Sequence, residues 1–122
     1  MVVDDEPGVR ELAVQMLRAN GFEAEDVASG EEALARFARQ PRAYDLVLLD
    51  LAMPQMDGLE VRRALLDSRP NLPILMMSGY ADLGREDSVV GSGGSFIRKP
   101  FRAERLVRKV SETLARVAAP VS

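Results

Sequence analysis

The sequence predicts an α/β fold, a doubly wound parallel sheet of five strands with helices on both faces. Short apolar runs alternate with helical stripes along the chain, and that alternation argues for parallel strands joined by right-handed crossovers. Two of the runs, Leu46 to Leu49 and Ile74 to Met77, are apolar at every position, as strands covered on both faces are. Four of the runs stop at polar residues: Asp4-Asp5, Asp50, Ser78-Gly79 and Lys99-Pro100.

Each element has its own warrant. Val2 and Val3 start the first strand and Asp4-Asp5 ends it. Pro7 suits the first turn of a helix, where no amide hydrogen is needed, and Val9, Leu12, Ala13, Met16 and Leu17 supply the apolar stripe. Asn20-Gly21 stops that helix, glycine being free to take positive φ. Phe22 to Val27 reads as a short, polar strand at a sheet edge. Ser29 and Glu32 form a capping box, opening a helix that buries Ala33, Leu34, Phe37 and Ala38 and ends at Pro41. After the third strand, Asp57 and Glu60 make a second capping arrangement ahead of a helix carrying Leu59, Leu65 and Leu66. Pro70 and Pro73 bracket the turn into the fourth strand, whose Met76-Met77 reads as core. Residues 82–90 make a weak helix interrupted by Gly84, and Gly91-Ser92-Gly93-Gly94 a flexible loop. Phe96-Ile97 is a short fifth strand. Leu106, Val107, Val110, Leu114 and Val117 form the last stripe, with Ala118 to Ser122 frayed.

Composition narrows the chemistry. A chain of 122 residues fits one domain. At this mass folding buries about two-thirds of the chain's surface, enough for a core without staples. The absence of cysteine excludes a disulfide framework, a thiolate metal site and a thiol nucleophile. The absence of histidine excludes a Ser-His-Asp triad, a His-ligated zinc and a His relay. No apolar run reaches the roughly 18 residues of a membrane span, and the acidic N-terminus is no signal peptide, so the expected compartment is the cytoplasm. The net charge of −3 hides a gradient. Residues 1–60 carry 13 acidic and 5 basic groups, residues 95–122 carry 2 and 7. The acidic half argues against direct nucleic-acid binding. The basic end is either a solvated helix face or a partner face.

Parallel strands bring all four polar strand ends to one edge of the sheet, where doubly wound folds bind ligands. Three carboxylates there, Asp4, Asp5 and Asp50, repel one another unless a cation sits among them. Hard oxygen donors and a lack of His and Cys suit Mg²⁺. Lys99 offers a point charge for an anion and Ser78 a hydroxyl. Such a set suits phosphoryl transfer, with a carboxylate as nucleophile giving an aspartyl phosphate. Taken singly, each has an ordinary reading: Asp4-Asp5 as dipole-complementing charges, Asp50 and Ser78-Gly79 as turn residues, Lys99 as a surface lysine. Four complementary strand ends together argue for a site.

Four motifs carry a resemblance over essentially the whole chain: Val2-Val3-Asp4-Asp5-Glu6, Leu48-Leu49-Asp50 through Met53-Pro54 to Asp57-Gly58, Met77-Ser78-Gly79-Tyr80, and Phe96-Ile97-Arg98-Lys99-Pro100-Phe101. The chain resembles a response-regulator receiver domain of two-component signalling, most like the receivers attached to hybrid histidine kinases. The resemblance implies a flavodoxin-like (βα)5 sheet in the order 2-1-3-4-5, one domain over residues 1–122. It implies that Asp50 is the phosphoacceptor. Mg²⁺ would be held by Asp5, Asp50 and the backbone carbonyl of Ala52, with Asp4 acting through water. Lys99 would pair with a phosphoryl oxygen and Ser78 would hydrogen-bond the phosphoryl group. Phe96 would turn inward as Ser78 moves, changing the face of the fourth helix, fifth strand and fifth helix that a downstream protein reads. Gly79 would keep the site open and Pro100 would follow a cis peptide bond. The phosphodonor would be a histidine kinase or a histidine phosphotransfer domain, since this chain has no histidine of its own.

The family pattern is not met everywhere. Only three residues precede Asp4, so the first strand is shortened; a stand-alone receiver and a fragment of a longer protein both stay open. The switch position is Phe, without a hydroxyl. Ala52 has no side chain to orient water, which predicts slow self-dephosphorylation. The chain is expected to be no enzyme beyond that self-catalysis. Two other readings remain open: a phosphorylation-independent interaction module, and a flavin or nucleotide binder, which the missing Gly/Ser/Thr-rich loop after the first strand disfavours.

Overall fold

The computed structural model describes residues 1–118. In chain order it holds β1 (Val2–Val3), α1 (Pro7–Ala19), β2 (Asp26–Val27), α2 (Gly30–Arg39), β3 (Val47–Asp50), α3 (Gly58–Ser68), β4 (Ile74–Ser78), a 3₁₀ turn (Tyr80–Arg85), α4 (Glu86–Gly91), β5 (Ser95–Arg98) and α5 (Ala103–Ala118). The sheet is parallel, in the order β2-β1-β3-β4-β5. The chain steps outward from β1 to β2, then back across to β3, so the ends of β1 and β3 flank the switch point.

Alternation along the strands sorts the core into two layers. Val2, Leu48, Leu75, Met77 and Ile97 pack with Ala13, Val14, Leu17, Leu106 and Val110 of α1 and α5. Val3, Leu49 and Met76 pack on the other side with Ala33, Phe37, Val61, Leu65 and Val89 of α2, α3 and α4. Burying both faces explains why the central strands have no polar position before their ends. Met76 and Met77 are both fully buried, as expected of core.

The punctuation acts as read. Pro7 lies in the first turn of α1, and Gly21 takes φ of 89° just beyond its end. Ser29 Oγ accepts the Glu32 amide at 3.1 Å, which is one half of the expected capping box; Glu32 reaches back one residue further, to the Ala28 amide at 3.4 Å. Asp57 accepts the Leu59 amide at 3.2 Å.

Several expectations need correction. Leu12 is 50% exposed, and Val14 takes the buried place in α1. Ala38 is exposed as well, because the buried stripe of α2 runs through Ala33 and Phe37. The second strand shrinks from the expected Phe22–Val27 to Asp26–Val27, since β1 offers only two residues to pair with. Leu46 lies before β3, while Asp50 and Ser78 are themselves strand residues. The helix expected at 82–90 divides between Arg85 and Glu86: residues 80–85, with Gly84 among them, wind as a 3₁₀ turn and a short α4 follows, taking in Gly91. The fray expected from Ala118 lies, past that residue, outside the described residues, as does the side chain of Val117.

Candidate functional site

The carboxyl ends of β1, β3, β4 and β5 meet at one edge. Asp4 follows β1 directly and is fully buried, Asp5 is exposed, and Asp50 closes β3 at 2% exposure. Ligand atoms of the three carboxylates lie within 4.8 Å of one another. Lys99 enters from beyond β5. Its Nζ is 2.8 Å from Asp4 Oδ2 and donates to Asp50 Oδ1 at 3.2 Å. The Lys99 amide donates to the Ser78 carbonyl at 2.8 Å, and the Lys99–Pro100 peptide is cis.

The charges disturb one another. Burial, then the Asp4 carboxylate, push the Asp50 carboxyl up to about 7, although Lys99 opposes both. Burial disfavours the Lys99 ammonium, but the Asp4 hydrogen bond and the Asp50 charge outweigh it and raise its pKa. Asp4 Oδ1 accepts the Glu6 amide at 2.9 Å. Asp4 Oδ2 is buried, and its one close partner is the Lys99 ammonium at 2.8 Å. Three clustered carboxylates with one lysine leave an excess of negative charge. Oxygen donors this close together, with no nitrogen or sulfur ligand among them, fit a small, hard divalent cation. The Ala52 carbonyl, in the exposed loop after β3, takes no backbone hydrogen bond among the described residues, so it is free to join such a cation.

The remaining predicted residues are placed as follows. Ser78 ends β4 beside the site, but its hydroxyl donates to Glu86 Oε2 at 2.6 Å. Gly79 donates its amide to Asp82 Oδ2 at 3.0 Å, and a Cβ there would meet that oxygen at an ordinary 3.6 Å. Phe96 is half-buried against the α2–α4 core layer, with the Arg98 guanidinium 5.8 Å from its ring centre. Pro100 lies beyond β5 and is exposed.

Sequence reasoning gave no role to Gly58, Glu86 or the Asp57–Arg85 pair. A Cβ on Gly58 would collide with the Asp50 carbonyl and come within 2.7 Å of Leu51 Cα, so only glycine lets α3 start against the acceptor loop. Its signal was the glycine directly after the capping Asp57. Arg85 reaches Asp57 with Nη2 at 2.6 Å and ties the 3₁₀ turn to the start of α3. Neither this pair nor Glu86 has a local signal, because their partners lie elsewhere in the chain.

A family model for the response regulator receiver domain matches residues 1–111. The DNA-binding response regulator MtrA of Mycolicibacterium smegmatis is 38% identical over 119 residues, 95% of this chain and 50% of that protein. The sensor kinase CckA of Brucella abortus is 33% identical over 115 residues, 93% of this chain and 12% of that protein. Among solved structures, the receiver domain of NtrX from Brucella abortus superposes with a TM-score of 0.83 at 34% identity, covering 93% of this chain and 95% of that one. The chain thus spans half or less of the two curated relatives described.

Proposed function

The chain belongs to the response regulator receiver domain family, and from that premise we propose that it is a phosphoacceptor switch whose acceptor is Asp50. The supporting observation is the edge cluster: three carboxylates within 4.8 Å of one another, two of them buried, with one lysine reaching both buried ones. In the proposed step an Asp50 oxygen attacks the phosphorus of a phosphohistidine on a kinase or phosphotransfer domain. The O–P bond forms, the N–P bond breaks, and the departing imidazole nitrogen takes up a proton. Asp5, Asp50 and the Ala52 carbonyl would hold Mg²⁺, with Asp4 acting through water. When bound, that ion supplies charge neutralisation for the transferring phosphoryl oxygens. Lys99 leaves its contact with Asp50 to meet a phosphoryl oxygen, while its bond to Asp4 keeps the stem in place. Burial of Asp50 excludes bulk water from the acyl phosphate. No separate catalytic activity is proposed.

Output would pass through the face of α4, β5 and α5. Val90 there is 57% exposed, and Arg98, Arg105, Lys109 and Arg116 line the adjoining groove, which suits an acidic protein partner. No helix among the described residues is long and apolar enough to cross a membrane.

The test is incubation with acetyl phosphate and Mg²⁺, followed by intact-mass measurement. An acid-stable, base-labile gain of one phosphoryl group is expected, lost in Asp50→Asn and on chelation. If the gain survives in Asp50→Asn, the assignment is wrong.

A further inference from the structure

Ser78 is already engaged. Its hydroxyl donates to Glu86 Oε2 at 2.6 Å, in a buried position at the end of β4. Glu86 opens α4 and is 5% exposed. Arg98, the last residue of β5, closes the same carboxylate from the other side, with Nε at 2.9 Å and Nη2 at 2.7 Å. Residues 96 and 98 share one face of the strand, and the Arg98 guanidinium lies 5.8 Å from the Phe96 ring centre. A continuous set of contacts therefore runs from Ser78 through Glu86 and Arg98 to Phe96. The Arg98 and Ser78 hydrogen bonds hold the Glu86 carboxyl below the usual range, so it is an ionised acceptor at neutral pH.

A serine hydroxyl has one proton to donate. It can go to Glu86 or to a phosphoryl oxygen, but not to both. We propose that Glu86 is a positioning residue that latches Ser78 away from Asp50, and that Arg98 carries the release of this latch to Phe96. The proposal rests on the phosphoacceptor reading. Phosphoryl oxygens at Asp50 compete for the Ser78 proton. When they win, Glu86 at the start of α4 loses its tie to β4 and keeps the one to β5. The Glu86–Arg98 pair then shifts as a unit, and the cover over Phe96 shifts with it. A local change of hydrogen bonding thereby reaches the α4–β5–α5 face.

The test titrates beryllofluoride, a phosphoryl mimic, into the whole chain with Mg²⁺. The readouts are the backbone amide resonances of Gly79 and Lys99 and the ring resonances of Phe96. Glu86→Ala is expected to bind about tenfold more tightly than wild type, because no charge-assisted hydrogen bond has to be given up. Glu86→Gln, of the same shape without the charge, is expected to move in the same direction by less. In a Ser78→Ala background, Glu86→Ala is expected to change nothing, whereas a merely structural role would act in both backgrounds. The Phe96 resonances of unliganded Glu86→Ala are expected to lie closer to the bound position. Equal or weaker binding by both Glu86 variants, or the same change in both backgrounds, overturns the latch and leaves the phosphoacceptor reading standing. Failure of the wild type to bind beryllofluoride overturns that reading, and the latch with it.

Discussion

Asp4, Asp50 and Lys99 form a triplet in which Asp4 acts on both of its neighbours. The Asp50 carboxyl rises from 3.8 to about 7 in the fold, first by burial and then by the Asp4 charge. The native state therefore holds that proton more tightly than the unfolded chain does. Without a cation, this group favours folding at low pH, and its contribution is lost as pH rises from 3.8 to about 7. Asp50→Asn removes that loss. Denaturant titration in chelator at about pH 5 and about pH 8 is expected to show the variant gaining on wild type by on the order of 2 kcal/mol. Gly58 works by absence of a side chain. Gly58→Ala is expected to cost about 2–4 kcal/mol in the same titration, since the obstacle is backbone that has nowhere to move. Ala52→Asn is expected to speed decay of the phosphorylated form, followed by loss of the mass gain with time; an unchanged rate would mean that water orientation at this position is immaterial. Asp4, Asp50 and Lys99 were legible in the sequence because each ends or follows an apolar run, so topology alone assembles them. The engagement of Ser78 was not legible, because its partner Glu86 is eight residues on, at the start of a short helix with no clear periodicity.

Among the elements, strands and long helices were readable where burial is two-sided or the stripe regular. β3 and β4 are apolar up to their last residues, Asp50 and Ser78, and lie within one residue of where their pattern puts them. The failures share a cause. Leu12 and Ala38 fit a helical stripe by spacing, but which apolar residue turns inward is decided by the neighbouring helix and sheet. The 80–91 segment has Gly84 at its centre and one fully buried anchor in α4, Val89, so it divides into a 3₁₀ turn and a short helix. Its position is set by cross-links. Both leave from its middle: Arg85, the last residue of the 3₁₀ turn, reaches Asp57, and Glu86, the first of α4, reaches Arg98. Asp57 also caps α3, so the two sides of the Asp57–Arg85 pair are unequal. Asp57→Ala is expected to cost about 1–2 kcal/mol through the lost cap, and Arg85→Ala less than about 1 kcal/mol, because that pair is partly solvated. Thermal or denaturant melting separates them; equal costs would mean that the pair, not the cap, dominates.

Across the whole molecule, the charge split separates two tasks. The acidic half of the chain supplies the carboxylates at the switch point, and the basic end supplies Lys99 and the groove beside β5. Like charges gathered at a buried edge weaken the unliganded fold, and a cation there relieves them. Mg²⁺ at about a hundred times its dissociation constant is expected to stabilise the chain by about 2.7 kcal/mol, with chelator reversing the gain and Asp5→Asn reducing it. The architecture explains why this stress is tolerated: two separate core layers, one on each side of the sheet, hold the strand ends in place. Whether the stressed edge exists to accept a phosphoryl group is a chemical question about one oxygen atom. Treatment with acetyl phosphate and Mg²⁺, reduction with borohydride, and peptide mapping reads it directly. Homoserine at position 50 and at no other aspartate is expected. Aspartate left intact at position 50, or reduction at Asp4 or Asp5 instead, would refute the assignment.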